Sequence, residues 1–401
     1  MLRTLALRNL KRNRRRTLVT LITVAMGTSA LLLFKGFNEG IMNQYRANTV
    51  HSRFGYGQIH TEAYRDNVYE KPWEHWIEEP EEKLAEIDKF EEVTHVFPRI
   101  EFFALLTNGE LTVSGKGTGA DAAVEAPFFH TLNVVEGENL TTEESGILLG
   151  KGLARALGAS PGSTVTVLLN TVHGSINGLD FEVVGIFHTG MKELDDTAFK
   201  VQLNAAQLLL DTNKVESIAL GLNSFDVWDQ FAAKLEEKYP NLEATPFAVL
   251  DKVYYQHAVD WLKQQFYIIQ LIILVIVTLG IVNTISFTVM ERKREIGNLR
   301  ANGESIADVM QLFLWEGFFL GILGAGLGVV IAVVVDKLII PGGILMPPAP
   351  GITRQFYVQL EMDTIMGVGS FAMGAITALL ATMFASLRVA RIPIATALRS
   401  N

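Results

Sequence analysis

The chain has 401 residues, 49% of them hydrophobic and 19% charged, with a mean hydropathy of +0.25 and a net charge of −9. It has no cysteine, which excludes disulfides, thiol catalysis, Cys-ligated zinc and iron–sulfur clusters. The hydropathy is high for a soluble protein of two or three domains, and the apolar residues gather in a few long uncharged runs.

Residues 1–16 carry Arg3, Arg8, Lys11, Arg12, Arg14, Arg15 and Arg16 and no acid. Leu2, Leu5, Ala6 and Leu10 fall near helical spacing among them, which predicts an amphipathic helix lying on a membrane surface. A disordered basic tail is the alternative. Residues 17–34 then give an apolar run close to the roughly 20 residues that cross a bilayer. Leu31-Leu32-Leu33-Phe34 follows Thr28-Ser29-Ala30 where a cleaved leader would give way to polar sequence, so the run is read as an uncleaved helix.

Residues 35–265 hold 18 Lys and Arg against 35 Asp and Glu, a net charge of −17 that leaves +8 for the rest of the chain. So acidic a segment argues against nucleic-acid binding. Its pattern is mixed α/β. Strands are expected at 56–61, 146–149, 216–222 and 242–246, and helices at 80–90, 152–157 and 226–238. Two hairpins are expected. In the first, 100–107 and 110–117 flank Asn108-Gly109, a type I′ signal. In the second, 164–170 and 179–187 flank a turn at 174–178. The outer βα units are expected to pair around the middle segment as two subdomains. The flanks 35–49 and 251–265 are predicted to extend the first and second crossings outward as a stalk.

The second apolar run, 266–290, has no charge, and the loop 291–308 after it holds Arg292, Lys293, Arg294 and Arg300. The third run, 309–335, holds one charge, Glu316, and the glycines Gly317, Gly321, Gly324 and Gly328. Their four-residue and three-residue spacings allow close helix packing, within the chain or between subunits. An ionisable group in hydrocarbon is a functional candidate. Near the end of its helix, Glu316 is expected to pair with Arg or Lys of the N-terminal helix; a transport role is the alternative. Residues 336–363 are a short second loop, 364–387 the fourth run, and 388–401 a tail with Arg388, Arg391 and Arg399. Four crossings put all three basic segments on one side, which the positive-inside rule makes cytoplasmic. The expected fold class is an α-helical membrane protein with four transmembrane helices and a mixed α/β extracytoplasmic domain, both termini inside.

Reaction chemistry is hard to find. The stretches Gly109–Lys116 and Gly146–Lys151 miss the P-loop spacing by one residue in opposite senses, and neither is followed by Ser or Thr. The eight histidines show no H-E-x-x-H spacing, and His188 reads as a packed strand residue. There is no G-x-S-x-G elbow. Glu78-Glu79 and Glu81-Glu82 read as a solvated helix face. No catalytic residue, metal ligand or cofactor site is expected in this chain.

One segment is specific. Glu291-Arg292-Lys293-Arg294-Glu295-Ile296-Gly297-Asn298-Leu299-Arg300-Ala301-Asn302-Gly303 resembles the E-[KR]-[KR]-x-E-I-G-x-L-[KR]-A-x-G signature of the MacB/FtsX/LolC-type (type VII) ABC-transporter permeases. Ala6-Leu7-Arg8-Asn9-Leu10 resembles the family's opening and Pro393–Arg399 its P-x-x-A-L-R end. Ile147–Gly150, Val183–Phe187 and Gly190-Met191-Lys192-Glu193-Leu194-Asp195 are similar to the lipoprotein-releasing branch. The resemblance implies a MacB-like periplasmic core domain and an inner-membrane location. It implies a coupling helix at 291–303 that docks on a separate ATPase, since sixteen residues precede the first helix where MacB carries a fused one. Ile296 and Leu299, three apart, would fill the ATPase's groove with the basic residues around them. The implied assembly is two permeases, the same or homologous, with two ATPases that bind the ATP and magnesium. Membrane lipids, lipoproteins and a periplasmic partner complete the expected contacts. Lipoprotein extraction is the first implied function; MacB-like efflux and FtsX-like control of a cell-wall hydrolase are the alternatives.

Overall fold

The computed structural model describes residues 2–130, 132–142, 145–252, 257–347, 355–391 and 393–394. The chain divides into two compact units, one formed by Met1–Asn43, Asp260–Met346 and Tyr357–Asn401, the other by Gln44–Val259 and Pro347–Phe356.

In the first unit, α1 (Leu2–Arg12) leads into α2 (Arg14–Thr49). Backbone bonds from Asn13 and Thr17 to the carbonyls of Asn9 and Asn13 carry the helical path across the junction. α2 continues past its apolar run and ends in a π-helical turn, Val50–Phe54. The later helices are α10 (His257–Glu291), α11 (Lys293–Ala301), α12 (Ile306–Val334, followed by a π-helical turn) and α13 (Thr364–Ala390). Ser305 and Asp308 start α12 with a reciprocal capping box, and Asp363 caps α13 by accepting from Met366 N at 2.6 Å. Among the described residues, four helices are long and apolar enough to cross a membrane: α2, α10, α12 and α13. Their shared core gathers Val24, Ile281, Ile285, Val289, Phe313, Ala325, Ala378 and Ala385. Large apolar side chains such as Met26, Tyr267, Ile276 and Phe384 stand outward, as hydrocarbon requires.

The second unit is a mixed sheet of ten strands: β1 (Gly57–Thr61), β2 (Val93–Thr107), β3 (Thr112–Ala120), β4 (Asn133–Gly137), β5 (Gly146–Gly150), β6 (Thr164–Asn170), β7 (Ile176–His188), β8 (Ala198–Gln202), β9 (Ser217–Leu222) and β10 (Leu242–Pro246). Their order is β10-β1-β9-β2-β3-β8-β5-β7-β4, with β6 bridging β2 and β7. Around it lie α3 (Pro80–Ile87), α4 (Ala122–Glu125), α5 (Lys151–Leu157), α6 (Lys192–Thr197), α7 (Leu203–Leu210), α8 (Trp228–Lys238) and α9 (Phe247–Leu250). Strands from the ends of the segment gather on one side and middle strands on the other. The 15-residue β2 runs through both, so the halves share one sheet and one core, from Ile59 and Phe231 to Val165 and Phe199. The short β11 (Ile344–Met346) and β12 (Phe356–Val358) fall between α12 and α13.

The first hairpin differs from its expected form. β3 starts at Thr112, so the connection has four residues rather than a type I′ pair. Asn108 Oδ1 accepts from Glu110 N at 3.0 Å and Leu111 N at 2.8 Å, and Gly109 takes φ +91°. The asparagine side chain replaces the backbone turn. β7 likewise starts three residues before the expected 179, because its edge keeps pairing with β6 up to Ile176.

Candidate functional site

The signature segment folds as a short helix with a sharp stop. Glu304 N bonds to Leu299 O and Gly303 N to Arg300 O, both at 3.2 Å, with Gly303 at φ +96°. This is a Schellman ending, and the left-handed position explains the glycine. Gly297, six residues back, is buried.

The two faces of α11 do opposite things. Arg292 and Ile296, one turn apart, are buried, Ile296 at 1% exposure beside Val289, Val309 and Phe313. Leu299 packs half-buried against the same core. Arg294, Asn298, Ala301 and Asn302 fall at i, i+4, i+7 and i+8 and are exposed. Ile296, expected to face a partner, is instead buried in the bundle; Leu299 packs on the bundle but stays half-exposed, and the outward stripe is mostly polar.

Beneath the helix lies an ion-pair network. Arg292 Nη1 pairs with Glu316 Oε2, and both side chains are less than 10% exposed. Arg292 Nε donates to Glu295 Oε2 at 2.6 Å, and its guanidinium lies 4.6 Å from the centre of the Phe313 ring. Asn9 Nδ2 donates to the other Glu316 oxygen at 2.9 Å. Arg12 meets Glu295 Oε1 at 2.6 Å, and Arg16 meets Glu291 Oε2 at 3.1 Å. Burial pushes the Glu295 carboxyl up, but Arg292 and Arg12 outweigh it and hold it below its ordinary value. The expected ion pair of Glu316 exists with a different cation. Arg292 of the loop supplies it, and the N-terminal helix supplies Asn9.

A family model of the MacB-like periplasmic core domain matches residues 17–238, more than half of the chain, and one of the FtsX-like permease C-terminal part matches 267–394. The chain belongs to the MacB/FtsX family of ABC-transporter permeases. It is 28% identical over 335 residues to the lipoprotein-releasing system transmembrane protein LolC of Neisseria meningitidis, covering 79% of this chain and 76% of that one. It is 24% identical over 405 residues to the pyoverdine export ATP-binding/permease protein PvdT of Pseudomonas entomophila, covering 97% of this chain and 58% of that one. Among solved structures, the periplasmic region of MacB from Actinobacillus actinomycetemcomitans matches with a TM-score of 0.37 and 13% identity, over 49% of this chain and 90% of that one.

In this permease the glycines of α12 pack inside the chain. A Cβ on Gly317 would meet Thr382, and one on Gly321 would lie 2.9 Å from the Ala375 carbonyl, both on α13. On Gly324 it would lie 2.8 Å from Val24, and on Gly328 2.5 Å from the Ala25 carbonyl, both on α2. The two pairs of glycines thus seat α12 between two neighbours. In the other unit the Gly190–Asp195 motif closes a buried turn. Asp195 Oδ1 accepts from Thr189 N at 2.7 Å and Thr189 Oγ1 at 2.9 Å, and Asp195 Oδ2 lies 2.6 Å from His188 Nδ1. Of the 393–399 motif, only Pro393 and Ile394 fall within the described residues.

Proposed function

We propose that this chain is the membrane subunit of an ABC machine that releases lipoproteins from the inner membrane. Two copies, or one copy and a homologue, would assemble with two cytoplasmic ATPases that bind the ATP and magnesium. The observation that carries the coupling part is the two-faced α11. Its inner face is locked by Arg292–Glu316, and its outer stripe of Arg294, Asn298, Ala301 and Asn302 is free of the bundle. A rigid, outward-facing helix can be pushed as a body. A closing ATPase pair would displace α11, and α2 and α10 would carry the movement outward. Both termini would lie in the cytoplasm and the sheet domain in the periplasm.

The cargo reading is supported by the likeness to LolC of Neisseria meningitidis over most of both chains. The PvdT match, over 97% of this chain, favours export of a small molecule as the second reading. Purifying the complex from its own membranes and identifying what it holds by mass spectrometry separates them. Acylated lipoproteins and an ABC ATPase are expected. A complex with the ATPase but no lipoprotein, whose hydrolysis no lipoprotein changes, would overturn the cargo reading.

A further inference from the structure

The ion-pair network contains three residues that the signature does not. Asn9, Arg12 and Arg16 stand at i, i+3 and i+7, one face of a helix whose backbone bonds continue across Asn13. Each reaches a different carboxylate: Asn9 to Glu316 at 2.9 Å, Arg12 to Glu295 at 2.6 Å and Arg16 to Glu291 at 3.1 Å. Glu291 and Glu295 are one turn apart across the α10–α11 junction, and Glu316 is tied to the same segment through Arg292. Arg16 lies in the first turn of α2, the 36-residue helix that runs to Thr49.

We infer that Asn9, Arg12 and Arg16 are positioning residues of the coupling device, which clamp the coupling helix to the foot of α2 so that its displacement is delivered to that helix. This rests on the coupling reading above. Covalently, α11 adjoins α10 and, after a short turn, α12; the clamp adds α2. The outer pairs are partly exposed and each is weak alone. They share a body with the buried Arg292–Glu316 pair, so a moving α11 that left the N-terminal helix behind would break all three contacts together. Arg8, Lys11, Arg14 and Arg15 are exposed as well, and basic residues of this helix also suit anionic lipid headgroups. That explanation for Arg12 and Arg16 predicts different behaviour.

The test uses the permease–ATPase complex in discs of phosphatidylcholine alone, where anionic headgroups are absent. A spin label at Glu110→Cys in each copy reports the distance between extracytoplasmic domains, with and without ATP and vanadate. The wild type should show a nucleotide-dependent shift. Arg12→Glu with Arg16→Glu should keep the ATPase bound and hydrolysing within about twofold of wild type, yet lose the shift. In a charge-swap cycle, Arg16→Glu alone should reduce the shift by about half or more, and adding Glu291→Arg should restore most of it. A full shift in the double reversal, or no recovery in the swap, would overturn the clamp and leave the functional reading standing. A wild-type complex with bound ATPase but no shift would overturn the coupling reading itself, and the clamp with it.

Discussion

Ile296 and Arg294 sit two residues apart on α11 and differ most in what surrounds them. Ile296 is buried in the helix bundle, so Ile296→Asp places an unpaired charge where water does not reach, at a cost of about 3–5 kcal/mol. We predict that this variant is lost from the membrane fraction on immunoblots. Arg294 touches the bundle little. Arg294→Glu should leave expression and detergent melting unchanged while ATPase recovered by pull-down falls at least about tenfold, the effect of roughly 1.4 kcal/mol at the interface. Normal ATPase recovery with Arg294→Glu would remove the stripe from the contact. A second cluster is pH-sensitive. Glu216 accepts from Tyr64 Oη and from Glu101 N, and Glu101 lies 3.1 Å from Arg53 and also pairs with Lys116. Burial, then the Glu101 charge, raises the Glu216 carboxyl to about 7; burial also pushes Glu101 up, but Arg53 and Lys116 hold it at about 2. A raised carboxyl favours folding while it stays protonated, so its contribution is lost as pH climbs from 4.5 through about 7. His60, lowered to about 4 by burial, acts in the opposite sense below 6.5 and is common to wild type and variant. Between pH 5 and 7.5, at roughly 1.4 kcal/mol per pH unit where the carboxyl titrates, wild type should therefore lose more melting temperature than Glu216→Gln. Equal losses in calorimetry would show that Glu216 does not titrate there.

At the scale of elements, α12 is fitted to two neighbours through its glycines. Gly328 and Gly326 are two residues apart on this helix, yet a Cβ on the first would lie 2.5 Å from the Ala25 carbonyl and one on the second 3.9 Å from Phe371. Gly328→Ala forces α2 away, and overpacking of this kind costs about 1–3 kcal/mol. Gly326→Ala adds only helix propensity. We predict a lower melting temperature and a broadened size-exclusion peak for the first and wild-type behaviour for the second; matching profiles would mean that α12 and α2 do not pack closely. The sequence shows that Gly317, Gly321, Gly324 and Gly328 have close-packing spacings but not which neighbours they serve, because a G-x-x-x-G spacing suits a helix of the same chain as well as one of another. The residues of α11 were legible in the same partial way. Their signature and spacing were plain, while the direction of the helix was not. Ile296 and Leu299 look alike as a docking patch and as an anchor, and only the bundle beneath them decides.

For the whole molecule, the unequal charge of the segments is the organising fact: −17 across 35–265 and +8 elsewhere. With the positive-inside rule it predicts that a cysteine at Glu110, exposed beside the first hairpin turn, reacts with an impermeant maleimide in spheroplasts, and that one at Glu304 reacts only after lysis. Outside labelling at Glu304 would invert the topology and the coupling reading with it. The sheet domain was legible in its stronger elements. β10 matches its expected range, while β4, β8, α6 and α7 were not foreseen. Those four have short or weakly periodic sequences, and they take their form from the strands beside them, as Ala198–Gln202 does from β3 and β5.

The sequence by itself determined the apolar helices, the clustering of basic residues in the segments between and beside them, the mixed α/β character of the acidic segment and the family signature. Each is written in local composition, period or spacing, and so survives without knowledge of neighbours. The tertiary structure decided the partners: Arg292 for Glu316, α2 and α13 for the glycines of α12, the bundle for Ile296, and Asn9, Arg12 and Arg16 for Glu316, Glu295 and Glu291. Those pairings join residues up to 307 positions apart, and no local pattern holds that information; it arises only when helices pack and each buried charge must find an opposite one.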